Sequence, residues 1–183
     1  LLASRVTKIA TSFEKVKSIP DVLKTKVIVT GMPVRPGVVM MHDRTYPDLM
    51  DNGDIYLAVF GGSQGAYIFS KVVPDALKRI DKTLRRRIQV TQQSRPEDVI
   101  NVTAVYSALG VKANISSFFD DVPNRIADAH LVISRCGAST IAELTTIGRP
   151  AILVPYVYAV DDHQSHNAYA VDEIGGGWLI PED

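Results

Sequence analysis

A stretch of small residues followed by a carboxylate is the first place where this sequence suggests chemistry. The apolar run LVIS ends at Ser134, and CGAST then leads to Glu143. Gly137 permits a tight turn, and residues 138–140 open a helix whose first N–H groups have no internal partners and attract phosphate. Glu143, about one turn further, suits the cis-diol of a ribose. The alternative is an ordinary N-capped helix with Glu143 in its first turn.

A second glycine-rich turn follows another predicted strand, in the segment AVFGGSQGAYIF at residues 58–69. The glycines let a ligand approach the backbone, and the hydroxyl of Ser63 suits a phosphate oxygen. The spacing does not match the G-x-G-x-x-G dinucleotide fingerprint, and a strand-to-helix turn capped by Ser63 is the alternative. Two such turns at the carboxyl ends of strands in one sheet would hold a diphosphate between two helix starts.

An arginine in a third loop also suits a phosphate. Arg35 lies between Pro33 and Pro36 in the segment TGMPVRPGV, which follows a predicted strand. A guanidinium braced in this way is a good phosphate ligand. The alternative is a solvated loop arginine.

Neutral amides and histidines open the last predicted helix, in the segment VDDHQSHNAYA. Gln164 and Asn167 share a face, and their amides both donate and accept, which suits sugar hydroxyls. His163 and His166 are three residues apart but lack a third firm metal ligand. We therefore interpret the two histidines as polar surface residues.

The apolar runs and helical segments indicate how these groups are positioned. Val and Ile crowd the runs with little alternation, which is typical of strands covered on both faces. Strands are predicted at residues 27–31, 55–62, 87–92, 111–118, 131–135, 151–156 and 177–180. Helices are predicted at residues 66–80, 96–109, 122–128, 139–147 and 163–174. The alternation predicts an α/β fold, a Rossmann-like parallel sheet flanked by helices, with ligands at the carboxyl ends of the strands.

Composition narrows the class of protein. The 183 residues are 46% hydrophobic and carry no net charge, which suits a globular domain and argues against a nucleic-acid binder. The single cysteine excludes an internal disulfide and fits a reducing cytosol. No apolar run reaches the roughly 18 residues of a membrane span. The basic run at residues 77–87 is interpreted as a solvated helix end, with contact to anionic lipid headgroups as the weaker alternative.

Four segments together resemble one known family. GMPVR, GGSQGA, RCGASTIAE and DDHQSHNA match, in order and approximate spacing, the segments GNPVR, GGSQGA, R-[SC]-GA-x-T-x-x-E and D-D-x-Q-x-x-N-A of the MurG family. These bacterial N-acetylglucosaminyltransferases have the GT-B fold of two Rossmann-like domains. The resemblance implies an inverting hexosyltransferase of peptidoglycan synthesis. It would move N-acetylglucosamine from UDP-N-acetylglucosamine to lipid I, the undecaprenyl-pyrophosphoryl-N-acetylmuramyl-pentapeptide, and form lipid II without a metal or other cofactor.

The resemblance also implies donor contacts for individual residues. Arg35 and Ser63 would contact the diphosphate region, and the backbone of Phe119 would meet the uracil edge. Glu143 would hold the ribose hydroxyls, and Gln164 would contact the N-acetylglucosamine hydroxyls. The full set of expected donor-site residues is Arg35, Ser63, Gln64, Phe119, Ala138, Ser139, Thr140, Glu143, Gln164 and Asn167. No catalytic residue is expected in this chain.

Departures from the family pattern suggest a part of a longer enzyme. Met32 stands where the family usually has Asn, and neither the acceptor domain with its GGH loop and proposed base nor the C-terminal helices are found. We expect residues 1–26 to be a remnant of the preceding segment and linker, and residues 27–183 to be the UDP-sugar donor-binding domain. The chain alone is expected to be inactive. The parent would meet lipid I through its acceptor domain, peripherally on the cytoplasmic face of the inner membrane.

Two other functions remain open at this point. One is a UDP-N-acetylglucosamine 2-epimerase of the same architecture, which would need additional acid and base carboxylates. The other is a non-catalytic module that binds a nucleotide-sugar.

Overall fold

Six apolar runs of the sequence form one parallel sheet. The computed structural model describes residues 5–13, 19–62, 66–158 and 162–182. The strands are β3 (Ile55–Phe60), β4 (Ile88–Gln93), β5 (Lys112–Ser116), β6 (Leu131–Ser134), β7 (Ala151–Leu153) and β8 (Gly177–Leu179). Their order is β5-β4-β3-β6-β7-β8, and every neighbouring pair is parallel. The predicted parallel sheet is confirmed.

The five predicted helices are present with slightly different ends. They are α2 (Tyr67–Arg79), α4 (Val99–Ala108), α5 (Val122–Ala127), α6 (Ala138–Ile147) and α7 (His163–Asp172). Three short helices escape prediction because one or two turns carry no readable amphipathic period: α1 (Pro36–Val39), α3 (Lys82–Arg85) and a 3₁₀ helix (Asp21–Lys26). Within the described residues, no helix has the length and apolar character that crossing a membrane requires.

One predicted strand lies outside the six-stranded sheet. The prediction for residues 27–31 is wrong in this respect, because β2 (Val27–Val29) pairs in parallel with β1 (Ile9–Thr11) in a separate two-stranded sheet. β1 escapes prediction because its three residues, IAT, do not form an apolar run. Other strands end earlier than expected. In β3 the reason is Gly62, whose φ of 86° turns the chain out of the extended conformation.

The centre of the sheet is covered on both faces, which explains its Val- and Ile-rich strands. On β3, Leu57 and Val59 belong to a buried cluster with side chains of α2 and α4. Ala58 and Phe60 belong to a second cluster with side chains of α1, α5, α6 and α7. Each fully buried aliphatic or aromatic side chain contributes about 1.5–3 kcal/mol to folding. The two clusters hold the helix starts of one edge of the sheet against the strand ends.

The basic run at residues 77–87 completes the end of α2. The Arg85 guanidinium donates to the carbonyls of Leu77 (3.5 Å) and Lys78 (3.0 Å), in the last turn of that helix. The Arg87 guanidinium donates to the carbonyl of Gly53 at 2.8 Å. The last carbonyls of α2 lack the N–H partners of a continuing helix, so cations near them are favourable. Contact with lipid headgroups stays a prediction.

A buried arginine fixes the ends of two helices at the amino-terminal edge of the sheet. Arg149 is only 5% exposed. Its guanidinium donates to the carbonyl of Ala127 at the end of α5, and to those of Ile147 and Gly148 at the end of α6. It also donates to the Thr45 carbonyl at 2.8 Å. These bonds satisfy helix-end carbonyls that lack intrahelical partners.

The register of the two central strands brings both glycine-rich turns together. Phe60, the last residue of β3, pairs with Ser134, the last residue of β6. The strand order runs outwards in opposite directions from this pair. In open parallel sheets, such a point forms a crevice at the carboxyl edge where ligands bind. The fold therefore places the candidate site at this edge.

Candidate functional site

The turn after β3 forms one wall of the crevice. Gly61 and Gly62 follow the strand, and α2 begins at Tyr67, five residues after Gly62, with Ala66 as its N-cap. Ala66 has no side chain that could cap this helix start. Ser63 and Gln64 lie outside the described residues, so the diphosphate contact of Ser63 and the place of Gln64 in the donor site stay predictions.

The start of α6 forms the opposite wall and leaves its amides without partners. Gly137 is the N-cap residue and has no side chain with which to cap the helix. In the described part of the chain, the backbone N–H groups of Ala138, Ser139 and Thr140 donate to no backbone carbonyl. Such unpaired amides at the positive end of a helix are suited to an anion. This geometry agrees with the predicted phosphate site.

The helix start also removes the simpler explanation of Glu143. Since α6 begins at Ala138, its first turn contains no acidic residue, and Glu143 is the sixth residue of the helix. The alternative interpretation, in which a first-turn glutamate favours the helix dipole, is therefore wrong. Another reason is needed for a carboxylate here.

Glu143 forms an ion pair with Arg35, which the sequence did not predict. The Nε and Nη2 atoms of Arg35 donate to Oε1 of Glu143 at 3.1 and 2.9 Å. The Glu143 side chain is 16% exposed and that of Arg35 is 63% exposed. α1 packs against α6 through the fully buried Val38, which brings Arg35, the N-cap residue of α1, beside Glu143. One oxygen of the carboxylate is thus held by the guanidinium, and Oε2 makes no hydrogen bond within the described residues.

Gln164 and Asn167 lie at the same edge but hydrogen-bond the protein backbone. Oε1 of Gln164 accepts from the N–H of Cys136 at 3.2 Å and from the N–H of Tyr156 at 3.1 Å. Nδ2 of Asn167 donates to the Cys136 carbonyl at 2.9 Å, and the Asn167 side chain is buried. Contact of either amide with a sugar stays a prediction.

Phe119 closes the crevice beside the end of β3. Its ring is buried edge-on against Phe60, with centroids 6.3 Å apart, and the Arg125 guanidinium lies 4.1 Å from the ring centroid. Arg125 is itself held by Asp121 at 2.5 Å. Within the described residues, the Phe119 N–H and C=O make no hydrogen bond, so both remain available to the edge of a base.

A match to a family model identifies the protein family of this chain. The model of the glycosyltransferase family 28 C-terminal domain matches residues 56–183, which is more than half of the chain. The chain belongs to glycosyltransferase family 28.

Two relatives of this family 28 chain carry the same name. The UDP-N-acetylglucosamine--N-acetylmuramyl-(pentapeptide) pyrophosphoryl-undecaprenol N-acetylglucosamine transferase of Paramagnetospirillum magneticum is 53% identical over 183 residues, which is all of this chain and 49% of the relative. The protein of the same name from Rhodospirillum rubrum is 48% identical over 182 residues, and the chain covers 46% of it. The chain therefore spans about half the length of these relatives.

A solved structure confirms the fold. The crystal structure of MurG from Acinetobacter baumannii matches 97% of the family 28 chain with a TM-score of 0.76 and 25% identity, and the chain covers 48% of it. The six-stranded parallel sheet and its flanking helices are one half of the GT-B fold, as the sequence predicted.

A buried arginine that was not predicted from the sequence stabilises the carboxyl edge of the sheet. Arg135 of the family 28 chain follows β6, and its guanidinium carbon lies 5.3 Å from the Phe69 ring centroid and 5.2 Å from that of Tyr156. Its Nη1 donates to Oε2 of Glu182 at 2.5 Å and to the Pro155 carbonyl at 3.0 Å. The sequence does contain a signal for it, since Arg135 directly follows the apolar run LVIS. A cation next to a buried strand must itself be partly buried, and a buried arginine needs hydrogen-bond acceptors.

The remaining reactive groups do not form a nucleophilic or metal centre in the described residues. Burial raises the pKa of the Cys136 thiol to about 12, although Arg135 opposes this rise. The thiol is therefore protonated at neutral pH and is a poor nucleophile. Across residues 5–13, 19–62, 66–158 and 162–182, no three His, Cys, Asp or Glu side chains form a group that would hold a metal ion.

Proposed function

We propose that the whole protein is an inverting N-acetylglucosaminyltransferase of peptidoglycan synthesis and that this chain carries its donor site. The enzyme moves N-acetylglucosamine from UDP-N-acetylglucosamine to lipid I and forms lipid II. The observation that carries the proposal is the crevice between Phe60 and Ser134, where the open amides of α6 lie beside the carboxylate of Glu143. The names of relatives that are 53% and 48% identical supply the donor and the acceptor.

The proposed chemistry places negative charge at the start of α6. The C4 hydroxyl of N-acetylmuramic acid attacks the anomeric carbon of the donor, a base takes the hydroxyl proton, and the bond to UDP breaks with inversion. The leaving diphosphate gains charge as this bond breaks. Amides of residues 138–140, the dipole of α6 and the Arg35 guanidinium would stabilise that charge, because all three are oriented before the reaction. The proposal therefore requires no metal.

The nucleoside would lie across the carboxyl ends of β3 and β6. Oε2 of Glu143 would accept from the ribose hydroxyls while Oε1 stays with Arg35. The backbone of Phe119 would contact the uracil edge, and Nε2 of Gln164 would donate to a sugar hydroxyl. Ser63 and Gln64 would contact the diphosphate from the other helix start.

The short sheet of β1 and β2 crosses the proposed domain boundary. A two-stranded sheet is marginal by itself, and Ile28 and Val29 are 46% and 49% exposed. We assign residues 1–26 to the segment that precedes the donor domain and residues 27–183 to the donor domain itself, although the pairing of β1 with β2 joins the two. An acceptor domain beside this sheet would supply the base and the lipid I site. The acceptor is membrane-bound, so the whole enzyme would act peripherally at the cytoplasmic face of the inner membrane.

The binding of UDP by the 183-residue chain tests the donor assignment. Calorimetry is expected to show binding of UDP and UDP-N-acetylglucosamine, and weaker binding of 2′-deoxy-UDP, because the deoxynucleotide lacks one hydroxyl for Glu143. Equal affinity for UDP and its deoxy analogue would contradict the ribose role of Glu143. No binding of UDP would contradict the donor site as a whole. Formation of an epimer instead of a disaccharide by the intact parent would favour the epimerase alternative.

A further inference from the structure

Two side-chain amides of α7 hydrogen-bond the backbone of Cys136, in the turn before α6. Oε1 of Gln164 accepts from the N–H of Cys136, and Nδ2 of Asn167 donates to the carbonyl of the same residue. We propose that Gln164 and Asn167 are positioning residues that hold the Cys136 backbone and so aim the α6 amides at the donor diphosphate. This inference rests on the proposed function and adds a role that sugar contact does not include.

The contacts fix which atom of each amide faces the backbone. Both groups that approach Gln164, the N–H of Cys136 at 3.2 Å and the N–H of Tyr156 at 3.1 Å, are donors, so only a carbonyl oxygen can accept from them. The group that faces Asn167 is a carbonyl oxygen at 2.9 Å, so only its Nδ2 can donate to it. Three hydrogen bonds therefore join the first half of α7 to the ends of β6 and β7.

The turn needs such a hold because it provides none itself. Cys136 is followed by Gly137, which lacks a capping side chain and has more backbone freedom than any other residue type. The Cys136 side chain is fully buried and Asn167 is 8% exposed, so water does not compete well for these bonds. When only a fraction of molecules has the binding conformation, the apparent affinity falls by that fraction. Bonds on both sides of Cys136 raise this fraction before the ligand arrives.

The positioning role and the sugar role predict different ligand dependence. If Gln164 only touches the sugar hydroxyls, its loss weakens UDP-N-acetylglucosamine binding and leaves UDP binding unchanged. If Gln164 also positions the turn, its loss weakens UDP binding as well, because UDP presents its diphosphate to the same amides. Asn167 separates the two roles more clearly, since its Nδ2 already donates to the Cys136 carbonyl.

The experiment compares Gln164→Met and Asn167→Leu with the unchanged 183-residue chain. Each replacement keeps the approximate volume and removes the hydrogen bonds. We expect each to weaken UDP binding by about fivefold to tenfold, the effect of losing one or two ordinary hydrogen bonds. UDP-N-acetylglucosamine should weaken by the same factor in Asn167→Leu and by at least that factor in Gln164→Met, which also loses the sugar contact of Nε2. Calorimetry measures both affinities. Amide hydrogen exchange in the ligand-free protein should become faster at Cys136 in both variants, and at Tyr156 in Gln164→Met.

Two further variants separate positioning from general loss of stability. Tyr169→Ala changes an exposed side chain of the same helix and should leave both affinities unchanged. Gln164→Glu keeps an acceptor oxygen, so slow exchange at Cys136 should return. Loss of sugar affinity alone, or unchanged exchange at Cys136 in Gln164→Met, would overturn the inference. If the unchanged chain does not bind UDP, the proposed function fails, and the exchange rates still decide whether the two amides hold the turn.

Discussion

Replacing Glu143 by alanine tests the centre of the proposed donor site. The substitution removes the acceptor for the ribose hydroxyls and also releases Arg35, which donates two hydrogen bonds to Oε1. These two consequences appear in different measurements. The first changes the affinity for UDP, and the second changes the free energy of unfolding.

The loss of affinity is expected to be about thirtyfold. Two hydrogen bonds from the ribose to a carboxylate contribute roughly 1.5–3 kcal/mol each before any competing cost. Arg35 already neutralises part of the charge, and the 16% exposure of the Glu143 side chain lets water compete for the carboxylate, so the sum is reduced. A net loss of about 2 kcal/mol corresponds to about thirtyfold at ~1.4 kcal/mol per decade. Glu143→Gln keeps the shape and one acceptor, so its loss should be smaller.

The change in stability is expected to be small. The ion pair involves an arginine that is 63% exposed, and such pairs contribute about 0.2–1 kcal/mol. Alanine has the higher helix propensity, which offsets part of this loss. The free energy of unfolding of Glu143→Ala should therefore lie within about 0.5 kcal/mol of the unchanged chain.

Calorimetry with UDP and denaturant unfolding on the same variants measure both quantities. Thr145→Ala, on the exposed side of α6, is the matched control and should leave UDP affinity unchanged. Arg35→Met alone and combined with Glu143→Ala completes a double-mutant cycle for the pair. Reduced stability of Glu143→Ala with unchanged affinity would refute the reasoning, because Glu143 would then serve only its ion pair and the donor site would lie elsewhere.

Three other results are expected. EDTA should leave UDP affinity unchanged, since amides and Arg35 bind the diphosphate; a large loss that magnesium or manganese restores would contradict this. The 183-residue chain should form no disaccharide from a lipid I analogue, and measurable product would show that no acceptor domain is needed. Arg149→Met should lower the free energy of unfolding by about 2–4 kcal/mol, because several buried carbonyls lose their donor. Arg149→Lys should lower it by less. Equal stability of the unchanged chain and both variants in a denaturant titration would contradict the anchoring role of Arg149.

The sheet could be predicted because its strands are buried on both faces. Residues 55–60 and 131–134 read as continuous apolar runs, and helices of ten or more residues separate such runs clearly. The three-residue strand β1 could not be predicted in this way, since IAT has neither length nor apolar character. It forms by pairing with β2, which is a contact between distant parts of the chain.

The individual segments of the site could be predicted, but the contacts between their side chains could not. The segments around Arg35 and Glu143 each carry a local signature of phosphate or diol chemistry. Their ion pair depends on α1 packing against α6, a contact across 108 positions that no local pattern contains. The same holds for Gln164, whose amide looks available for a sugar in the sequence but accepts from Cys136 and Tyr156 in the fold.

The hydrogen bonds of Arg149 make the end of α6 more resistant to local unfolding than its start. The last turn of α6 is tied by buried hydrogen bonds to α5 and to Thr45, so it unfolds only together with the domain. At the first turn, Gln164 and Asn167 hold the backbone of Cys136, but the amides of residues 138–140 have no acceptor. A bound anion would complete that turn and add a stabilisation that grows with ligand concentration. Nucleotide binding would therefore supply the acceptors that the first turn lacks and make the start of α6 as resistant to local opening as its end.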